Sequence, residues 1–235
     1  MRILCIVQQR PTSPDSSSVT LQVVDGLSVS GLLELPAAAR ACYVLAHGAG
    51  AGMQHKSMAA VTEGLAARGI ATLRYQFPYM EQGKRRPDSP PLCHATVRAA
   101  VAQAARLAPG LPLVAGGRSF GGRMTSQAQA LAPLPGVRGL AFLAFPLHPA
   151  GAPSDTRAEH LARVSIPMLF LTGTRDALAE RALVEPLVAR LGARATLSLI
   201  EDADHSFHVP ARSGRNDAQV LDDVLQRLAA WIDTL

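Results

Sequence analysis

The chain has 235 residues, enough for one domain with a substantial core, and its 48% hydrophobic and 17% charged content excludes a disordered or fibrous chain. Aromatic residues, at 4%, are too few to build a stacking platform for single-stranded nucleic acid. A net charge of +5 and a pI near 9.6 come almost entirely from arginine, scattered singly apart from the run Lys84-Arg85-Arg86, so the surface reads as solvated and not as a nucleic-acid footprint.

At the N-terminus, Met1–Val7 is too short for the apolar core of a secretory leader, and no later run could span a bilayer, so no membrane association is expected. Residues 1–18 read as a flexible lead-in, polar and interrupted by two prolines and a serine cluster, and residues 19–235 as a single domain. Cys5, Cys42 and Cys93 are odd in number and widely spaced. They show neither a disulfide framework nor a metal spacing, and a reducing cytoplasm fits them best.

Val19–Val24 and Leu27–Leu35 alternate like two antiparallel strands joined at Asp25-Gly26, a hairpin turn signal. Ala41–Ala46 is continuously apolar, as a central buried strand would be, and ends in the glycine-rich His47-Gly48-Ala49-Gly50-Ala51-Gly52-Met53. A helix over Ser57–Arg68 and a strand over Ile70–Tyr75 come next. Residues 76–91 read as a long loop rich in proline and charge, and Leu92–Leu107 as a helix. The apolar run Leu111–Ala115 then leads into Gly116-Gly117-Arg118-Ser119-Phe120-Gly121-Gly122, with helix formers running on to Leu131. Strands are predicted over Val137–Leu143, Pro167–Gly173 and Ala195–Ile200. Helices are predicted over Thr156–Arg163, over Ala179–Leu191 with a kink at Pro186, and at the C-terminus behind an Asn216/Gln219 cap. Strand and helix alternating after a hairpin predicts an α/β fold: a mostly parallel, doubly wound sheet with an antiparallel N-terminal edge and no large lid.

Gly117-Arg118-Ser119-Phe120-Gly121 is a G-x-S-x-G sequence between a strand and a helix, the setting of a nucleophile elbow. A serine hydroxyl attacks only when a base takes its proton, and the base needs a third group to fix its tautomer. Ser119, Asp176 and His205 each fall just past the carboxyl end of a predicted strand, in the chain order of the α/β-hydrolase fold. Asp202 is a rival acid, and His208 a rival base further from the strand end. The oxyanion of an acyl-transfer intermediate needs backbone donors, expected from Phe120 and from Ala49. His47 is expected to order its loop. With His55 it finds no third ligand, so no metal is expected, and neither glycine pattern matches a phosphate or dinucleotide motif, so no cofactor is expected.

With those residues the chain resembles the small, essentially lidless α/β-hydrolases related to dienelactone hydrolase. Within them it is closest to the group that includes testis-expressed protein 30 and a subunit of the nonspecific-lethal histone acetyltransferase complex. The resemblance runs from about Ala41 to the C-terminus. It is carried by His47–Met53, Phe77-Pro78-Tyr79-Met80, Gly116–Arg123, Phe145-Pro146-Leu147-His148-Pro149, Gly173-Thr174-Arg175-Asp176 and Asp204-His205-Ser206-Phe207. It implies a Ser119–His205–Asp176 triad with oxyanion donors at Ala49 and Phe120. Dienelactone hydrolase itself uses a cysteine nucleophile, so its substrate does not carry over.

The expectation is therefore a serine hydrolase cleaving a small-molecule carboxylic ester or thioester through an acyl-enzyme on Ser119. Phe77, Tyr79 and Met80 are candidates to line the acyl pocket, with Leu147 and His148 at its rim, although plain packing accounts for each equally well. Lys84-Arg85-Arg86 could steer an anionic substrate or be solvated loop. Two other readings use the same fold: an interaction protein without catalysis, and an acyltransferase. The oligomeric state is not legible in the sequence.

Overall fold

The computed structural model describes residues 16–235, so Cys5 and the first 15 residues of the expected lead-in lie outside the described residues. Ser16–Ser18, expected in that lead-in, instead begin strand β1 (Ser16–Val24), because their backbone pairs with Leu32–Glu34 of β2 (Leu27–Glu34). Gly26, at φ +73°, supplies the left-handed residue of the hairpin turn at the Asp25-Gly26 position read from the sequence.

Eight strands form one sheet in the order β1-β2-β4-β3-β5-β6-β7-β8. The remaining strands are β3 (Ala41–Ala46), β4 (Ile70–Tyr75), β5 (Leu113–Arg118), β6 (Val137–Leu143), β7 (Met168–Gly173) and β8 (Ala195–Ile200). β1 and β2 are antiparallel to their neighbours, and every pairing from β4 to β8 is parallel. Helices α1 (Lys56–Ala66) and α6 (Asp217–Ile232) cover one face; α3 (Pro90–Leu107), α4 (Phe120–Leu131) and α5 (Arg181–Leu191) cover the other.

The two-residue period of β3 shows why both faces must be covered. Cys42, Val44 and Ala46 join the core under α3 and α4, while Ala41, Tyr43 and Leu45 join the core under α1 and α6. No residue of β3 is more than 1% exposed, which is why its sequence is a continuous apolar run.

Two of the departures from expectation fall at prolines. The predicted 76–91 loop contains a single-turn helix, α2 (Pro78–Glu81), and α3 starts at Pro90 rather than Leu92. Proline's fixed φ and missing N–H suit the first turn of a helix, where that N–H would be unpaired anyway. Helix α5 starts at Arg181 and runs through Pro186. Among the described residues, no insertion between strands folds over the carboxyl end of the sheet, and no helix is long and apolar enough to cross a membrane.

Candidate active site

Ser119 links β5 to α4 and holds φ +49°, ψ −115°, a strained conformation for a residue with a side chain. The neighbouring glycines permit it. A Cβ on Gly117 would stand 2.3 Å from the Ala46 carbonyl oxygen, and one on Gly121 2.5 Å from that of His47. Helix α4 can therefore press directly on the end of β3, and the Ser119 N–H bonds back to Leu143 O at 2.9 Å. The turn is locked from both sides, with the hydroxyl standing above the sheet.

The loops after β7 and β8 bring Asp176 and His205 to that hydroxyl. His205 Nε2 lies 2.8 Å from Ser119 Oγ, and His205 Nδ1 lies 2.8 and 3.0 Å from the two carboxylate oxygens of Asp176. A carboxylate only accepts, so Nδ1 carries the proton and Nε2 is the acceptor facing the serine. The Asp176 side chain is fully buried and also accepts the Leu178 N–H at 2.8 Å, whereas His205 keeps 23% of its side chain exposed. The two rivals are placed elsewhere. His208 pairs with Asp217 on the surface at 2.9 Å, and the Asp202 N–H bonds to Thr174 Oγ1 in the turn after β8.

Gly48 and Ala49 line the same cleft as Ser119 and His205. Phe120 is the first residue of α4, so its N–H has no partner within the helix. The Gly48–Ala49 loop is held by His47, which is fully buried. Its Nδ1–H donates to Gly48 O at 2.7 Å, and its Nε2 accepts the Phe77 N–H at 3.0 Å. Burial lowers its pKa to about 4, so the ring is neutral near pH 7 and both nitrogens are committed to backbone.

The expected acyl-pocket residues lie elsewhere. Phe77 and Tyr79 are fully buried, Met80 packs partly buried on the same core, and none of the three lines the cleft. Phe77 packs edge-on against His47 at 5.0 Å and Phe120 at 5.5 Å, and the Tyr79 hydroxyl donates to Ala49 O at 2.9 Å. Residues 77–80 turn inward and seat the Gly48–Ala49 loop because their aromatic area is worth more buried than exposed, roughly 1.5–3 kcal/mol per side chain. Leu147 and His148 are likewise buried, and their N–H groups bond to Leu178 O at 2.8 and 3.3 Å, under the Asp176 loop rather than at a rim. Lys84, Arg85 and Arg86 are exposed on the turn after α2 and do not line the cleft.

The cleft itself, about 350 Å³, is walled mainly by small residues together with Met58 and Leu178. It also contains Arg118, which sequence reasoning passes over as the variable position of its own motif; no lining residue carries a carboxylate. Among the described residues no three His, Cys, Asp or Glu side chains are grouped to hold a metal ion.

A family model described as an alpha/beta hydrolase domain matches residues 39–233. Among solved structures, the chain is similar to a dienelactone hydrolase from Anabaena variabilis, at 22% identity and TM-score 0.77, over 95% of this chain and 99% of that one. It is also similar to an α/β serine hydrolase without a lid from Xanthomonas campestris, at 21% identity and TM-score 0.69, over 93% and 98% of the two chains. An esterase domain from Rhodothermus marinus matches at 15% identity and TM-score 0.69, over 92% and 97%. At these identities the three structures speak for the fold alone.

Proposed function

This chain belongs to the alpha/beta hydrolase family, and on that premise we propose that it cleaves a carboxylic ester or thioester through an acyl-enzyme on Ser119. The observation that carries the reading is the pair of 2.8 Å contacts joining Ser119 Oγ, His205 and Asp176 across a strained turn. In the proposed reaction His205 Nε2 takes the hydroxyl proton as Ser119 Oγ attacks the carbonyl carbon. The carbonyl oxygen becomes an oxyanion held by the N–H groups of Phe120 and Ala49. Collapse of the intermediate expels the alcohol or thiol, which leaves with the proton from His205. Water then repeats the sequence on the acyl-serine: His205 takes its proton, hydroxide adds, and Ser119 recovers its hydrogen as the acid departs. Asp176, buried and aimed at Nδ1, stabilises the imidazolium formed in each half.

An unlidded cleft of about 350 Å³ suits small or exposed acyl groups. Cys42 and Cys93 are buried free thiols, which fits the reducing cytoplasm inferred from the sequence. Membership of the group containing testis-expressed protein 30 is part of the same proposal and rests on the motifs alone.

A panel of short-chain p-nitrophenyl esters and acyl thioesters, run beside Ser119→Ala, tests the function. Turnover by the native chain is expected to fall by about 10⁴-fold or more in the variant, because triad members act as a unit. Equal turnover by both proteins would overturn the assignment.

A further inference from the structure

A second cavity is larger than the cleft at Ser119. A concavity of about 550 Å³ opens between α4 and the 3-10 helix Thr156–Arg163, and it shares no lining residue with the cleft. Arg123 and Gln127 enter it from α4; Arg157, Glu159, His160 and Arg163 enter it from the 3-10 helix. Three guanidinium groups therefore face one carboxylate.

What sets these arginines apart is their convergence on one concavity, since exposed arginines such as Arg85, Arg86 and Arg106 also stand in no ion pair among the described residues. Arg40, Arg68, Arg181, Arg190, Arg215 and Arg227 each stand in an ion pair with an Asp or Glu. Among the described residues, Arg123, Arg157 and Arg163 have no carboxylate within ion-pair distance, and the buried Arg123 Nε has no hydrogen-bond partner. Burial and the nearby Arg157 both act against the charge of Arg123. A buried donor left unpaired is costly, and so is a cluster of like charges, unless a ligand satisfies them.

We propose that this cavity binds the phosphoryl group of a small organic phosphate. Two uncompensated positive charges match a phosphate monoester dianion, and planar guanidinium forks pair two phosphoryl oxygens at a time. The volume is in the range of sites for small organic ligands and exceeds what inorganic phosphate fills. Gln127, which bonds His94 Nε2 through its amide oxygen at 3.2 Å, has its amide N–H groups free to donate.

Binding should be legible at His160. His160 is held down to about pKa 4 by burial first, then by Arg123 from α4, Arg163 on its own helix and His94 from α3. Arg157 and Glu159 stand on its own helix, and Arg98 acts beside Arg123 on His94. An anion among the arginines would offset their field and raise the His160 pKa, a change read at fixed pH from the His160 ring signals.

The test is a calorimetric titration of the full chain with phenyl phosphate, inorganic phosphate and benzoate, with ring-proton spectra of His160. Phenyl phosphate is expected to bind one per chain, weaker in high salt, tighter than inorganic phosphate, and to shift the His160 signals. The double substitution Arg157→Gln/Arg163→Gln, at a half-buried and an exposed position, should weaken binding by roughly a hundredfold, about tenfold per lost guanidinium. It should leave ester turnover at Ser119 unchanged. Arg123→Gln is a second probe, read only if its melting curve shows a folded protein. No saturable binding up to about 10 mM, unaltered affinity in the double variant, or benzoate binding as tightly as phenyl phosphate would each overturn the proposal.

Discussion

At the carboxyl end of the sheet, the loops after β5, β7 and β8 carry Ser119, Asp176 and His205, which touch one another at hydrogen-bond distance and leave His205 partly open to solvent. The loops after β3 and β4 lie beside them and carry His47, Phe77 and Tyr79, which have no exposed surface and bond mainly to backbone. The difference is most direct in the two histidines. His205 presents one nitrogen to a hydroxyl and the other to a carboxylate, a pairing that can pass a proton. His47 has the same ring, but backbone groups occupy both nitrogens and burial keeps it neutral. Proximity to Ser119 therefore does not fit a histidine for proton transfer; the partners of each nitrogen do.

Substitutions in the two regions should separate chemistry from support. The largest effect is expected for His205→Ala, which should lower kcat by about 10⁴-fold while leaving the melting temperature within a few degrees, because the ring is partly exposed. Phe77→Ala should do the reverse. Emptying a fully buried ring site costs about 3–5 kcal/mol of stability, or roughly 10 °C of melting temperature for a chain of this size, as read by thermal denaturation. Activity of the fraction still folded should fall much less than in His205→Ala.

A smaller effect reads the burial of His47 through pH. The folded pKa of His47, about 4, lies below the ordinary histidine value of 6.5, so the unfolded chain binds the extra proton between those values. The stability His47 contributes is therefore complete above pH 6.5 and is lost as pH falls toward 4. Denaturant titrations across that window should show a shallower decline in His47→Gln, which keeps an acceptor for the Phe77 N–H. Tyr79→Phe, which leaves Ala49 O without its hydroxyl donor, should cost about 1 kcal/mol in stability and a few-fold in kcat. The smallest effect belongs to His208→Ala, since that exposed ring pairs with the surface carboxylate of Asp217; turnover should stay within about twofold.

Much of this architecture is legible in the sequence because periodicity and glycine placement carry it. The unbroken apolar run of Ala41–Ala46 marks a strand covered on both faces, and Gly117 and Gly121 mark backbone approaching backbone. The direction in which a loop turns carries no such signal. Phe77, Tyr79, Leu147 and His148 are expected against substrate because they lie just past strands that end at the site, yet they point inward beneath it. Sequence marks the end of the strand and the apolar character of the loop beyond it, but not whether a cleft or a core receives that loop. Arg118 escapes notice for a related reason. A motif written G-x-S-x-G assigns no role to its variable position, and only the packed structure shows that this residue lines the cleft.

The most direct test of the central claim is intact-mass analysis after exposure to a fluorophosphonate, which forms a stable bond with an activated serine. The native chain is expected to gain one adduct, located by peptide mapping to the segment containing Ser119, and Ser119→Ala to gain none. A folded native chain that stays unlabelled, or equal labelling of the variant, would contradict the assignment of Ser119 as the nucleophile.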